Sequence, residues 1–201
     1  KSSESFLMLG DLLLILFAYG LGSVSCGLLL ARLHGGVDLR QSGSGNIGAT
    51  NVARAMGKGA GVIALVGDCA KGVIPVLLAQ AWGSSVLITA AVALAAVLGH
   101  LFPWYARFRG GKGVATALGV FIPTLPLPLL GGLVIFIAVV AVWRYVSAGS
   151  MLAAVVVPLL AGILVYPWPL VTVAGLIAFL ILVKHRSNLQ RLLQGNESKL
   201  F

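Results

Sequence analysis

Residues 84–104 read SSVLITAAVALAAVLGHLFPW, 21 positions without a single Asp, Glu, Lys or Arg. A helix needs about 20 predominantly apolar residues to cross the hydrocarbon core of a bilayer. This stretch is apolar on every side, so it offers no face suited to water. Working outward and breaking the chain at charged, Gly and Pro clusters gives seven such segments, at about 5–31, 60–81, 84–104, 113–123, 127–143, 148–166 and 168–184. Hydrophobic residues make up 59% of the chain and charged residues 9%, where a soluble domain carries about 25% charged residues. The chain lacks the polar surface to face water all round. It is expected to be an all-α integral membrane protein of about seven transmembrane helices, residues 1–201 forming one polytopic domain.

The fourth segment is too short to span as a straight helix and is bounded by Pro123, Pro126 and Pro128. It is expected to be short or re-entrant, with its broken backbone satisfied by neighbouring protein. The first apolar stretch, about Phe6 to Leu30, exceeds the core of a signal peptide and reads as a retained membrane helix. With seven crossings, residues 32–59, 105–112, 144–147 and 185–201 share one side. With Lys184 at their boundary, they hold Arg32, Arg40, Arg54, Lys58, Arg107, Arg109, Lys112, Arg144, Arg186, Arg191 and Lys199, against Lys1 opposite. Basic residues stay in cytoplasmic loops, which puts the N-terminus outside and the C-terminus in the cytoplasm. The same rule accounts for the net charge of +9 without nucleic acid as a partner; anionic headgroups or phosphorylated substrates are the second explanation. Cys26 and Cys69 form no spaced framework, so neither a disulfide nor a metal site follows. They are expected to be buried packing residues.

Chemistry is therefore sought at the inner face. The longest polar stretch is Ser42-Gly43-Ser44-Gly45-Asn46-Ile47-Gly48-Ala49-Thr50-Asn51, followed by Arg54. Glycines let a backbone curl and aim successive N–H groups at an anion. Ser and Asn add donors, and the Arg fork matches phosphate. The plain alternative is a flexible Gly/Ser loop. A second stretch, Gly110-Gly111-Lys112-Gly113-Val114-Ala115-Thr116, places a glycine turn and a lysine at the start of a helix, the ingredients of an anion site. It lacks the spacing of a Walker A loop, and no Walker B strand exists here, which disfavours a nucleotide triphosphatase.

Two further places carry charge. In Gly67-Asp68-Cys69-Ala70-Lys71-Gly72, Asp68 and Lys71 lie deep in an apolar segment, where charges pair or line a polar cavity. A helical pair between them and a substrate role for Lys71 stand level. After the seventh segment, His185 and Asn188 share a face at i, i+3. His185 could act as a base, although a capping cluster at a helix end explains these residues better on their own. Ser147 and Ser150, next to Arg144, are a weaker pair of possible donors, and His100, isolated at the end of an apolar segment, reads as a satisfied structural histidine. No Ser-His-Asp arrangement, paired carboxylates or metal-ligand spacing is present, so the site would hold anions rather than supply a protein nucleophile, with no cofactor.

Taken together and in order, the Ser42–Asn51 string with Arg54, the Gly67–Gly72 block, the Gly110–Thr116 loop, the Arg144-Tyr145-Val146-Ser147 turn and the His185-Arg186-x-Asn188 end with Gly195 and Glu197 resemble the acyl-phosphate:glycerol-3-phosphate acyltransferases (PlsY). The resemblance implies a seven-helix enzyme of the bacterial inner membrane with a cytoplasmic site. It would move a fatty acyl group from acyl phosphate to the 1-hydroxyl of glycerol 3-phosphate, the first acylation step of phospholipid synthesis. By position, Ser44 and Arg54 match the family's essential pair, with Ser42 a rival for the serine. Gly110, Gly111, Lys112 and Gly113 match its glycerol-phosphate turn, His185 and Asn188 its activity-linked pair, and Glu197 a structural acid. Gly43, Gly45, Asn46, Asn51, Thr116, Ser147 and Lys71 complete the expected substrate contacts. Either His185 or the substrate's own phosphate would be the base. Acyl phosphate would arrive from a soluble partner enzyme or through the lipid. A transporter of phosphorylated anions is the rival class, but Gly45–Thr50 and Gly111–Thr116 are only faintly alike, and the outer face has too few polar residues for a second mouth.

Overall fold

The computed structural model describes residues 2–200; Lys1 lies outside them. Every regular element among the described residues is helical: α1 (Ser2–Ser23), α2 (Cys26–Leu33), α3 (Ala49–Met56), α4 (Lys58–Trp82), α5 (Val86–Leu101), a 3-10 turn (Trp104–Ala106), α6 (Val114–Thr124), α7 (Pro126–Trp143), α8 (Val146–Ile163), α9 (Trp168–Lys184) and α10 (Arg186–Leu193). Among the described residues five helices are long and apolar enough to cross a membrane, and α9 with α10, bent by 56°, makes a sixth when the bent pair is counted as one span. At about 1.5 Å per residue, α6 falls well short of the hydrocarbon thickness, as the sequence led us to expect. The chain divides into two compact units, Lys1–Val120 and Phe121–Phe201.

In the first unit the quoted stretch becomes α5, the helix with the most buried residues. Ala90, Val92, Ala93, Ala96 and Val97 are all buried. Ser85 caps it, its Oγ accepting from Ile88 N at 3.3 Å, and the helix stops before Pro103, which has no N–H to continue it. Without a hydrophobic drive between helices inside lipid, close packing holds them together, and small residues permit it. A Cβ on Gly22 would lie 2.1 Å from the Ala96 carbonyl oxygen, and one on Gly99 2.2 Å from that of Tyr19, so α1 and α5 touch backbone to backbone. Cys26 and Cys69, expected to be buried, are half-buried free thiols.

The first span is not one helix. It breaks at Val24 and Ser25, between α1 and α2. A break within lipid strands backbone groups unless protein satisfies them, and here it does. Lys71 Nζ donates to the Val24 carbonyl at 2.6 Å. Tyr105 donates its hydroxyl to the Ser23 carbonyl at 2.8 Å and accepts from Ser25 N at 3.3 Å. Asp68 Oδ1 accepts from Cys26 N at 3.4 Å and pairs with Lys71 Nζ at 2.9 Å. The Asp68–Lys71 pair is thus a splint: the cation serves the end of α1 and the anion the start of α2.

Two stretches expected to be loops contain helices, α3 within 32–59 and α10 within 185–201. Each has eight residues, below the 11–18-residue window in which helical periodicity declares itself. α3 forms because Val52, with the partly buried Ala49, Ala55 and Met56, packs around Ala31, Leu39 and Ala64. In the second unit α8 packs against α7 and α9, and α10 lies against α8 and α9. Gly132 and Gly149 admit Val157 and Phe136 at 2.7 and 3.0 Å from where a Cβ would sit.

Candidate active site

In the first unit the polar stretch is an ordered loop built around one buried side chain. Asn51, 1% exposed, sits in the first turn of α3 and reaches back. Its Nδ2 donates to the carbonyls of Leu39 at 3.0 Å, Ser42 at 3.0 Å and Asn46 at 2.8 Å. Its Oδ1 accepts from Ser44 N at 2.9 Å. Gly43 and Gly45 adopt φ of +54° and +70°, the left-handed region that suits glycine. A Cβ on Gly43 would meet Asn51 Oδ1 at 2.4 Å. Asn51 therefore shapes the loop from beneath. Asn46 is half-buried beside it, and Ser44 and Arg54, on the last turn of α3, are exposed. Ser42 donates its hydroxyl to the Asp38 carbonyl at 2.9 Å, a brace within the loop. Arg40 Nη2 donates to the Arg109 carbonyl at 2.9 Å, tying this loop to the next.

The Gly110–Gly113 loop folds back on the end of α5. Gly110 N donates to the Leu101 carbonyl at 3.2 Å and Gly111 N to that of His100 at 3.1 Å. Two of the N–H groups that the glycine spacing offers an anion are therefore spent on α5. What the loop presents beyond them is half-buried Lys112, then Gly113 at φ +84°, then the first turn of α6. The leading N–H groups of a helix lack intrahelical acceptors and favour negative charge. Thr116 is fully buried and donates its hydroxyl to the Asp68 carbonyl at 3.1 Å, where α6 packs on α4. Lys71, 4% exposed, serves the splint described above.

The second unit holds its own polar cluster, centred on Glu197. Its Oε1 accepts from Ser147 Oγ at 2.7 Å and Asn188 Nδ2 at 2.6 Å. Its Oε2 meets Arg191 Nε at 2.7 Å. Burial pushes the carboxyl upward, but the bonds from Asn188, Ser147 and Arg191, with the Arg191 charge, outweigh it and hold the group below its ordinary 4.5. The chain beyond α10 is pinned as well: Leu200 N donates to the Arg144 carbonyl at 2.8 Å, and Lys199 Nζ stands 5.8 Å from the Tyr145 ring centre. His185, 3% exposed, is the bend residue between α9 and α10. Its Nδ1 lies 2.8 Å from the Ile181 carbonyl. A carbonyl only accepts, so Nδ1 is the donor in this bond, which fixes the orientation of the ring.

The sequence singled out both glycine stretches, Asp68 with Lys71, and His185 with Asn188 and Glu197. It did not reveal Tyr105, whose hydroxyl mends the helix break from 80 residues away. It also took His100 as isolated, whereas that ring lies 3.9 Å from Asp68. Neither contact has a local signature.

Residues 12–195 match the family model described as glycerol-3-phosphate acyltransferase. The chain is 50% identical over 192 residues to the glycerol-3-phosphate acyltransferases of Trichlorobacter lovleyi and Geobacter sulfurreducens, covering 96% of this chain and 98% of each relative. The crystal structure of PlsY (YgiH), an integral membrane glycerol 3-phosphate acyltransferase in its glycerol 3-phosphate form, superposes with a TM-score of 0.91 at 42% identity, over 94% of this chain and 95% of that one. Its lysophosphatidic acid form gives 0.88 at 41% over the same shares. The chain belongs to the glycerol-3-phosphate acyltransferase family of integral membrane proteins.

Proposed function

We propose that this protein transfers a fatty acyl group from acyl phosphate to the 1-hydroxyl of glycerol 3-phosphate, releasing lysophosphatidic acid and inorganic phosphate. The observation that carries this is the glycine loop braced on α5, which leaves Lys112 and the start of α6 as a preorganised anion site. The relatives solved with glycerol 3-phosphate and with lysophosphatidic acid support the same substrate and product. Acyl phosphate is already activated and phosphate leaves readily, so no acyl-enzyme is needed. The protein has to place two anionic groups and stabilise charge that grows as the carbonyl is attacked.

In this mechanism Lys112, with Gly110, Gly111 and Gly113 shaping its loop, takes the glycerol phosphate. Arg54 and Ser44 take the acyl phosphate on the loop shaped by Gly43, Gly45, Asn46 and Asn51. Ser44 is preferred to Ser42, whose hydroxyl braces the loop. The glycerol oxygen attacks the acyl carbon, the new C–O bond forms, and the bond from that carbon to the phosphate oxygen breaks. The hydroxyl proton passes to the His185 ring, which its Nδ1 bond to the Ile181 carbonyl orients, and phosphate departs. Asn188 and Ser147, both held by Glu197, orient the glycerol end. Lys71 and Thr116 act through the packing beneath the site. Residues 1–201 function as one polytopic domain of the bacterial inner membrane, with the N-terminus outside, the basic loops and C-terminus cytoplasmic, and the donor delivered by a soluble enzyme or from the lipid.

The test uses purified protein in lipid, given acyl phosphate and glycerol 3-phosphate, with phosphate release monitored. Release should require both substrates and fall sharply in Lys112→Ala. No release from folded protein would exclude acyl transfer and make anion uptake into liposomes the next measurement.

A further inference from the structure

One buried histidine lies directly beneath the glycine loop and takes no part in the mechanism above. His100, 5% exposed, stands at the last full turn of α5. A Cβ built on Gly111 would have three His100 ring atoms as its nearest neighbours, Nε2 at 2.2 Å, Cε1 at 3.1 Å and Cδ2 at 3.2 Å. The backbone of the same histidine holds the same glycine, accepting from Gly111 N at 3.1 Å. The far side of the ring faces the splint, with Nδ1 3.9 Å from Asp68 Oδ1. Asp68 is itself fixed by Lys71 at 2.9 Å and Cys26 N at 3.4 Å. Backbone and ring thus grip one loop residue from below, and the ring is backed by a carboxylate that cannot move without breaking the splint.

We propose that His100 is a positioning residue for the anion site: its ring, backed by Asp68, is a stop that sets the height of Gly111, and through it the position of Lys112 and the start of α6. Gly111 is glycine because the ring occupies the space of its side chain. This rests on the assignment of glycerol phosphate to the loop. It adds to that assignment a residue that touches no substrate, and predicts a defect confined to one of the two substrates.

The experiment measures KM and kcat for each substrate in lipid-reconstituted wild type, His100→Ala, His100→Gln, Gly111→Ala and the His100→Ala/Gly111→Ala double variant, with thermal unfolding alongside. His100→Ala should raise KM for glycerol 3-phosphate by about tenfold or more, leaving kcat and the acyl phosphate KM within about threefold. His100→Gln, whose amide can reach the level of Nε2, should bring KM most of the way back. Gly111→Ala should be severe in wild type and cost much less in the His100→Ala background, where its methyl has room, so that the two effects fail to add. If His100→Ala does not fold, His100→Asn, whose amide stops short of the level of Nε2, takes its place in the KM comparison and in the double variant. Glycerol 3-phosphate KM unchanged, both substrates affected alike, or additive costs would overturn the inference while leaving acyl transfer intact. Absence of turnover in wild type would remove both.

Discussion

Lys71→Met separates a structural lysine from a substrate-binding one. The substitution keeps length and apolar bulk but deletes Nζ, and with it the 2.9 Å pair with Asp68 and the 2.6 Å bond to the Val24 carbonyl. Asp68 is left 1% exposed without its cation, and a broken buried pair costs about 3–5 kcal/mol. The orphaned Val24 carbonyl adds to this, by about 1–3 kcal/mol if nothing relaxes. Taking the pair alone, a chain of this size should lose roughly 6–20 °C in Tm. The assay is thermal unfolding in detergent, followed by tryptophan fluorescence, with KM measured on the surviving folded protein. Adding Asp68→Asn should recover part of the loss, because the uncompensated charge is gone while the helix break still lacks its donor. A Tm within about 1 °C of wild type, together with a large rise in substrate KM, would show that Lys71 binds substrate and that the splint is incidental.

Other perturbations address the remaining parts. Asn51→Ala removes all four bonds that shape the Leu39–Asn46 loop. Activity should fall by more than about tenfold while the helical circular dichroism stays unchanged. His185→Ala should lower kcat by about 10²–10⁴; normal turnover at saturating substrate would hand the base role to the substrate phosphate. Glu197 is held below its ordinary 4.5 in the folded protein, so the unfolded chain binds its proton first as pH falls. Its stabilisation is complete above that ordinary value and is lost as pH drops through the folded pKa. Glu197→Gln should therefore lower Tm at pH 7 and flatten the loss of Tm at acid pH.

How much of this was legible in the sequence differs from one residue to the next. The spans were plain because bilayer thickness imposes a length that a run such as 84–104 meets unaided. The break at Val24 was not, because the stretch from about Phe6 to Leu30 has the length of one span and reads as a single helix, and what permits the break is Lys71, Asp68 and Tyr105, brought in by tertiary packing. The depth of Asp68 and Lys71 announced a pair, but not the backbone ends that it serves. Glycine spacing located both candidate anion loops. It could not show that Gly110 and Gly111 spend their N–H groups on α5, or that Asn51 works from beneath its loop. Glu197 was visible as an acid near the C-terminus. Its bond to Ser147, 50 residues away, exists only because the chain after α10 returns to the start of α8.

The most direct single measurement follows both products of one reaction. Lipid-reconstituted protein is given acyl phosphate and glycerol 3-phosphate, inorganic phosphate is quantified, and the lipid product is identified by mass spectrometry and its acyl position by NMR. Acyl transfer requires one phosphate released for each 1-acyl lysophosphatidic acid formed, with neither appearing when either substrate is withheld. Phosphate released without glycerol 3-phosphate, or glycerol 3-phosphate crossing the bilayer without acylation, would contradict it.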